Sequence, residues 1–327
     1  MTASRLLKII VDPSHSRCQL PLNIDPYPGP CPHGCRYCYA TPPAGPGSTG
    51  DEFARLAGLF QEAFEQRLDS PWHDLLRKRS PIRLGFMNDP LPPRERQDRL
   101  TLRLIELFNR FDHPYLIITK STLLAGEPYL EALSPKNATV QISLTTLNQE
   151  LADLIEPHAP PTQARLEAIR RLRGAGVWTL ARIDPVIAEV KRGAQTLPYF
   201  SLDLLAEAHK HEACGAIIGL LATPAQPPGS GIAWTDSAGK EGALLQDIQR
   251  HCQQIGLPCS FCQLGLTRRQ SREVSAFLKK DASCCQLNPL GPQAGIPFAD
   301  RLAAAPCSWL EAAKLRFFDF LMDKLHE

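Results

Sequence analysis

The sequence predicts an α/β fold in which βαβ units build a parallel sheet, and three observations carry that expectation. Between residues 82 and 221, short apolar runs alternate with stretches of helical period, as strands joined by crossover helices do. Short polar signatures sit at the C-terminal ends of the apolar runs, where α/β barrel enzymes gather their sites. The composition suits a globular chain with a full-sized core, with 43% hydrophobic and 21% charged residues in 327.

The elements follow in order. Residues 1–30 are punctuated by Pro13, Pro21, Pro26, Pro28 and Pro30 and read as a lead-in loop with one strand near 20–25. A cysteine-rich run comes next. The Gly/Pro-rich loop ATPPAGPGSTG (40–50) lacks the GKS or GKT ending of a phosphate loop and reads as plain loop. In DEFARLAGLFQEAFEQRL (51–68), Phe53, Leu56, Leu59, Phe60 and Phe64 share one helical face behind an acidic start. Strands are expected at 82–88, 115–120, 138–146, 177–187 and 215–221, with helices at 96–111, 129–133, 162–176 and 201–211 between them. After Leu221 the pattern breaks into a Pro/Gly/Ser-rich stretch (222–239) that reads as a linker or lid. Helices are then expected at 242–256, near 273–280 and near 308–325. The expected organisation is therefore one α/β unit, 1–221, and a C-terminal extension, 222–327, with its own cysteines.

Charge narrows the function classes. Thirty-six Lys and Arg against 34 Asp and Glu give a net charge of +2, which makes no global case for nucleic acid or membrane binding. No apolar run reaches the roughly 18–20 residues needed to cross a bilayer. MTASRLLKIIVD has no signal-peptide core, so a cytoplasmic location is expected. In a reducing compartment, eleven cysteines read as ligands or catalytic groups before disulfides. The basic stretches are Arg77-Lys78-Arg79 with Arg83, and Arg165, Arg170, Arg171 and Arg173. The second set lies on a helix whose Leu166, Ile169 and Leu172 face the sheet, so its arginines are expected on the solvated outer face. No aromatics interleave with these charges as a nucleic-acid stacking platform requires.

Cys31, Cys35 and Cys38 are spaced C-x3-C-x2-C in a loop rich in Pro and Gly, so three thiolates can face one centre. Zinc would want a fourth ligand, for which His33 is the candidate. An iron–sulfur cluster held by three cysteines would leave one iron open to a cofactor or substrate. Three free buried thiols are the plain alternative, disfavoured by such tight spacing in a polar loop.

CPHGCRYCYA resembles the cluster loop of the radical SAM superfamily. LNIDPYPGPCPHGCRYCYA, NDPLPPRE (88–95), TKS (119–121), SLTT (143–146), EPHAPPTQARLEAIRRLRGAG (156–176) and RIDPVI (182–187) resemble, in order, its spore-photoproduct-lyase-like branch. The resemblance implies a partial (β/α)6 TIM-like barrel of the radical SAM type with a cysteine-containing C-terminal extension. It implies a [4Fe–4S] cluster on Cys31, Cys35 and Cys38, with S-adenosylmethionine (SAM) bound to the open iron by its amino and carboxylate groups. Tyr37 would lie beside adenine. One-electron reduction, from a donor such as flavodoxin or ferredoxin, would cleave SAM to a 5′-deoxyadenosyl radical, and the protein would position both groups.

The polar strand ends supply the expected SAM contacts. Lys120 or Arg182 suits the carboxylate. Asn88, Asp89 and Ser143 suit the ribose or the ammonium. For each, a cap or ion pair at a strand end is the plain alternative. The lyase returns a hydrogen atom from a cysteine near the end of the second strand, but RLGFMNDPLPP has none. DNA photoproduct repair by that route is therefore not expected, and the substrate stays open among a nucleobase, a peptide side chain and a small metabolite. A non-catalytic zinc module for nucleic acid or protein partners is the alternative from another class.

Among the later cysteines, Cys259, Cys262, Cys284 and Cys285 are the expected ligands of a second Fe–S cluster or a zinc, with small core hydrophobes as the alternative. His209, His211 and Cys214 form a weaker zinc set, read as solvated. Cys18 alone carries no reading.

Overall fold

Alternation decides the sheet. In the computed structural model, which describes residues 7–9, 20, 22–27, 29–38, 40, 50–68, 70–221, 231–234, 240–262, 266, 268–278 and 285–289, all six expected strands form. The strands are β1 (Leu7–Ile9), β2 (Leu22–Ile24), β3 (Ile82–Leu84), β4 (Tyr115–Thr119), β5 (Ala138–Leu144), β6 (Trp178–Val186), β7 (Glu189–Arg192), β8 (Gln195–Pro198), β9 (Ala216–Leu220), β10 (Ile232–Trp234) and β11 (Cys259–Phe261). One sheet runs β1-β2-β3-β4-β5-β6-β9-β11, parallel except for β1 against β2. It is an α/β partial barrel.

Each strand has one apolar and one polar or mixed face. On β5, Ala138, Val140, Ile142 and Leu144 join the large core under the helices, while Thr139, Gln141 and Ser143 point the other way. On β6, Ala181 and Ile183 are in that core, whereas Leu180 packs with Ile217 and Cys262 inside the barrel. The helix Leu100–Arg110 covers the outside with Leu102, Leu104, Ile105, Leu107 and Phe108. Each such side chain contributes roughly 1.5–3 kcal/mol on burial.

Two features depart from the expectation. LPCSFCQLG contains β11, which pairs with β9 through Cys259↔Ala216 and Phe261↔Ile218, so the sheet runs across the division drawn at residue 221. A second sheet, β10-β7-β8, forms from residues with no strong alternation: in β7 only Val190 is buried. Trp234 of β10 packs there with Leu151, Ile155 and Tyr199.

Residues 285–289 close the barrel at the strands' N-terminal ends. Asn288 Nδ2 donates to Pro135 O (2.5 Å), Asn288 N to Thr139 Oγ1 (2.9 Å), and Gln286 Nε2 to Ala216 O (3.0 Å) and Ser260 Oγ (2.9 Å). Trp178 Nε1 donates to Gln286 O (2.8 Å). No helix among the described residues is long and apolar enough to cross a membrane.

His113, fully buried just before β4, sits edge-on to Phe60 (5.2 Å between ring centroids), with Nε2 2.8 Å from Ser80 O. Burial, helped by Arg79, holds its pKa down to about 3. The unfolded chain titrates this ring near 6.5 and so binds the proton first. Its neutral form therefore stabilises the fold fully above about pH 6.5, and that contribution is lost progressively as the pH falls toward 3. His113→Phe should lose less urea stability between pH 7 and pH 4.5 than wild type. Equal losses would remove His113 from the acid response.

Candidate active site

The cysteine loop leaves the C-terminal end of β2 and is held from two sides. Asp25 Oδ1 accepts from the amides of Phe86 (2.9 Å), Met87 (3.0 Å) and Asn88 (3.3 Å), and Asn88 Nδ2 donates to Tyr27 O (2.8 Å) and Gly29 O (2.7 Å). The approach to Cys31 is thereby stapled to the loop after β3. On the other side, Arg36 N donates to Ile155 O (2.9 Å), Arg36 Nε to Leu154 O (2.7 Å) and His158 N to His33 O (3.3 Å). Tight turns inside the loop, Gly34 N to Cys31 O (3.2 Å) and Cys38 N to Cys35 O (3.1 Å), bring all three thiols to one cavity at the C-terminal end of the sheet.

His33 is not the fourth ligand of a zinc site. Its Nε2 lies 3.0 Å from Asp89 Oδ2 and its Nδ1 3.3 Å from His158 O, so both ring nitrogens are engaged by protein. Among the described residues, no three of His, Cys, Asp and Glu stand close enough to hold a metal ion directly, Cys31, Cys35 and Cys38 included.

Asn88 and Asp89, expected to contact a bound molecule, act in the structure as braces. Asp89 accepts from His33 Nε2, Thr119 Oγ1 (2.7 Å), Lys120 N (2.8 Å) and Leu91 N (2.9 Å), joining the cysteine loop to the ends of β3 and β4. Burial opposes its charge, and the bonds from His33, Lys120 N and Thr119 outweigh that, holding its carboxyl below the usual range.

A second buried acid was missed in the sequence. Glu156 accepts from the Tyr37 hydroxyl, Thr145 Oγ1 (3.0 Å) and Arg165 Nη2 (2.6 Å), with Lys120 Nζ 3.9 Å away. Burial raises its pKa, but Arg165 and Lys120 prevail and the carboxyl stays below its usual range. Lys120 lies over the Tyr37 ring (5.4 Å); burial opposes its charge, while Cys35 and Glu156 more than compensate and raise its pKa. Arg165 itself is a correction: it is 1% exposed, not on the solvated face, whereas Arg170 and Arg171 are exposed as expected. The signal was present, because Arg165, Ile169 and Leu172 are i, i+4 and i+7 on one helical face.

On the far wall, Ser143 lines the cavity, and Arg182 reaches inward to Gln141 Oε1 (3.0 Å), Asp184 and Cys262 Sγ (3.4 Å). Burial disfavours the charge of Arg182, and Asp184 with Cys262 more than restores it, raising its pKa. Two glycines make room here. A Cβ on Gly85 (φ +90°) would lie 2.3 Å from Ile118 O, and one on Gly219 would lie 2.4 Å from the Asp184 carboxyl carbon.

Among the described residues, the later cysteines are not brought together as a ligand set. Cys259 and Cys262 lie on opposite faces of β11 and its continuation: Cys259 is hydrogen-bonded to Cys252 of the helix Glu241–Ile255, while Cys262 packs inside the barrel. Cys285 packs with Leu20 and Leu116. Cys284, Cys307 and Cys18 lie outside the described residues. His211 Nδ1 is 2.8 Å from Glu207 O, and Cys214 packs near Leu180 and Ile217, with no ligand set around them.

Comparison with known proteins adds the following. The family model described as the radical SAM superfamily matches residues 28–189. An uncharacterized protein of Mycobacterium tuberculosis is 29% identical over 175 residues, covering 51% of this chain and 50% of that protein. The chain thus spans about half the length of the curated relatives it matches. Among solved structures, a variant of spore photoproduct lyase superposes with a TM-score of 0.54 at 15% identity, covering 79% of this chain and 80% of that one. Another variant, with bound AdoMet and dinucleoside spore photoproduct, gives a TM-score of 0.52 at 15% identity over 80% and 81%. At these identities the likeness is one of fold.

Proposed function

Because the chain belongs to the radical SAM superfamily, with a [4Fe–4S] cluster and SAM as its cofactors, we propose that this enzyme uses SAM-derived radical chemistry to abstract a hydrogen atom from a substrate held over the cavity. The observation that carries this reading is that Cys31, Cys35, Cys38, Lys120, Ser143 and Arg182 all line one cavity at the C-terminal end of the parallel sheet. The donor set fits: three thiols on one eight-residue loop leave a coordination position for a small molecule, and an ammonium stands beside them. When bound, the cluster and SAM supply reductive cleavage to a 5′-deoxyadenosyl radical.

The chain's own residues then have distinct tasks. Cys31, Cys35 and Cys38 hold iron. Lys120, fixed by Glu156 and Tyr37, is placed for the SAM carboxylate, as a point charge for an anion. Tyr37 keeps its hydroxyl on Glu156 and offers its ring to the adenine side. Ser143 serves the ribose or the ammonium, and Arg182, tied to Asp184, forms the cationic far wall. Asn88 and Asp89 hold the cysteine loop in place. The substrate class remains a nucleobase, a peptide side chain or a small metabolite, and the relatives' names do not choose among them.

Lys120→Met tests the assignment. SAM affinity, titrated on anaerobically reconstituted protein, should fall about 10- to 100-fold, the worth of one hydrogen bond to a charged group, while iron content stays at the wild-type level. Unchanged affinity would take Lys120 out of the site.

A further inference from the structure

The inner wall of the barrel carries two buried guanidiniums, set deeper than the cysteine loop. On β2 and β3, Leu22, Ile24, Ile82 and Leu84 belong to the core under the helices, so Asn23 and Arg83 point into the barrel. Arg83 is 2% exposed; its Nε donates to Asn23 Oδ1 (2.6 Å) and its guanidinium lies over the Phe86 ring at 4.5 Å. Arg182, three strand positions away on β6, is 7% exposed and is held by Gln141, Asp184 and Cys262. Gln141 Nε2 also donates to Cys285 O (3.1 Å), and Cys285 packs with Leu20 and Leu116 in the barrel floor. Arg182 is therefore seated one layer above that floor. Both arginines line the same cavity. Lys120 belongs to the rim instead, over Tyr37 and beside Cys35. Among the described residues that line the cavity, the carboxylates are Asp89 and Asp184. Asp89 is engaged by His33, Thr119 and the Lys120 amide, and Asp184 by Arg182. The described inner wall thus sets two guanidiniums against one carboxylate.

We propose that Arg83 and Arg182 bind the acid group of the substrate, a small organic anion carrying a carboxylate or a phosphate. This rests on the radical SAM reading of the site and gives its substrate a chemical class. Guanidiniums suit the task because their planar fork bonds two oxygens of one oxyanion at once. Asn23, Phe86, Gln141 and Asp184 hold the two forks in place before anything binds, which lowers the cost of ordering them. Lys120 remains for the carboxylate of SAM at the rim, so the two anions fall to separate cations. With its acid group near the floor, the substrate turns its carbon skeleton up toward the cysteine loop, where hydrogen abstraction would begin. A polynucleotide suits the position less well. Its phosphates lie along a chain that would have to enter the barrel, whereas the acid group of a small molecule reaches the arginines alone.

Isothermal titration tests this on the full chain, reconstituted anaerobically and saturated with SAM without reductant, with inorganic phosphate and with succinate as probes. At least one of the two should bind the wild type. Phosphate alone would point to a phosphorylated substrate, and succinate alone to a carboxylic acid; either supports the proposal. Arg83→Gln should weaken that binding about tenfold or more, while SAM affinity stays at the wild-type value. Arg83→Lys, which keeps the charge and loses the fork, should fall between wild type and Arg83→Gln, so the test stands even if Arg83→Gln folds poorly. A wild type that binds neither anion would overturn the proposal, as would an Arg83→Gln variant that binds them at wild-type strength. So would a loss of SAM affinity in Arg83→Gln with anion affinity unchanged, because the arginine would then serve SAM. Displacement of the bound anion by a single-stranded oligonucleotide would also overturn it, and the arginines would then meet nucleic-acid phosphates. A wild type that binds an anion through Arg83, but binds no SAM and forms no 5′-deoxyadenosine with dithionite, would overturn the radical SAM reading and leave the anion site itself in place.

Discussion

Glu156→Ala is expected to cost about 3–5 kcal/mol of folding stability, the usual consequence of removing one partner of a buried ion pair. The size follows from what the carboxylate leaves behind. Arg165 is 1% exposed and would keep its charge with only the Ser143 carbonyl (2.8 Å) and Thr162 (3.5 Å) nearby. The hydroxyls of Tyr37 and Thr145 would lose their acceptor, although Thr145 retains Tyr199 at 3.0 Å. Urea unfolding should show a lower midpoint at unchanged slope. Glu156→Ala/Arg165→Met should recover much of the loss, since deleting both charges removes the uncompensated one. Glu167→Ala, which breaks only the exposed Arg170 pair, should leave the midpoint where it is. A Glu156→Ala midpoint equal to wild type would show that the buried network does not hold the loop. The same substitution should weaken SAM binding, because Lys120 and Tyr37 both take their position from Glu156.

The sheet was legible because its strands alternate. Val140, Ile142 and Leu144 against Gln141 and Ser143 announce a strand with one core face and one polar face. β11 was not legible, since three residues carry too little alternation and its cysteines drew the reading toward a metal. C-x2-C marks ligands in a loop, where a turn can fold both thiols onto one centre. In extended backbone, residues i and i+3 point to opposite sides, and Cys259 and Cys262 are separated accordingly. The hairpin β7–β8 was missed because its residues face solvent apart from buried Val190 and half-buried Leu197.

Local spacing pointed to the cysteine loop and strand ends to Lys120, Ser143 and Arg182, and all of these line one cavity. The bonds of Asn88 and Asp89 to Tyr27, His33, Thr119 and Lys120 were not legible, since they span 30 to 61 residues. Glu156 has no periodic signature at all, standing between a helix end and a proline loop. Arg165 lay in phase with buried leucine and isoleucine, and its charge hid that.

SAM chemistry in this chain is proposed to depend on iron held by one cysteine loop. The direct measurement is iron, sulfide and 5′-deoxyadenosine after anaerobic reconstitution, for wild type and for Cys31→Ala/Cys35→Ala/Cys38→Ala. Iron should fall from about four per chain to none, and dithionite-driven 5′-deoxyadenosine formation should fall to the no-enzyme level. A triple variant that keeps its iron, or still forms 5′-deoxyadenosine above that level, would contradict it.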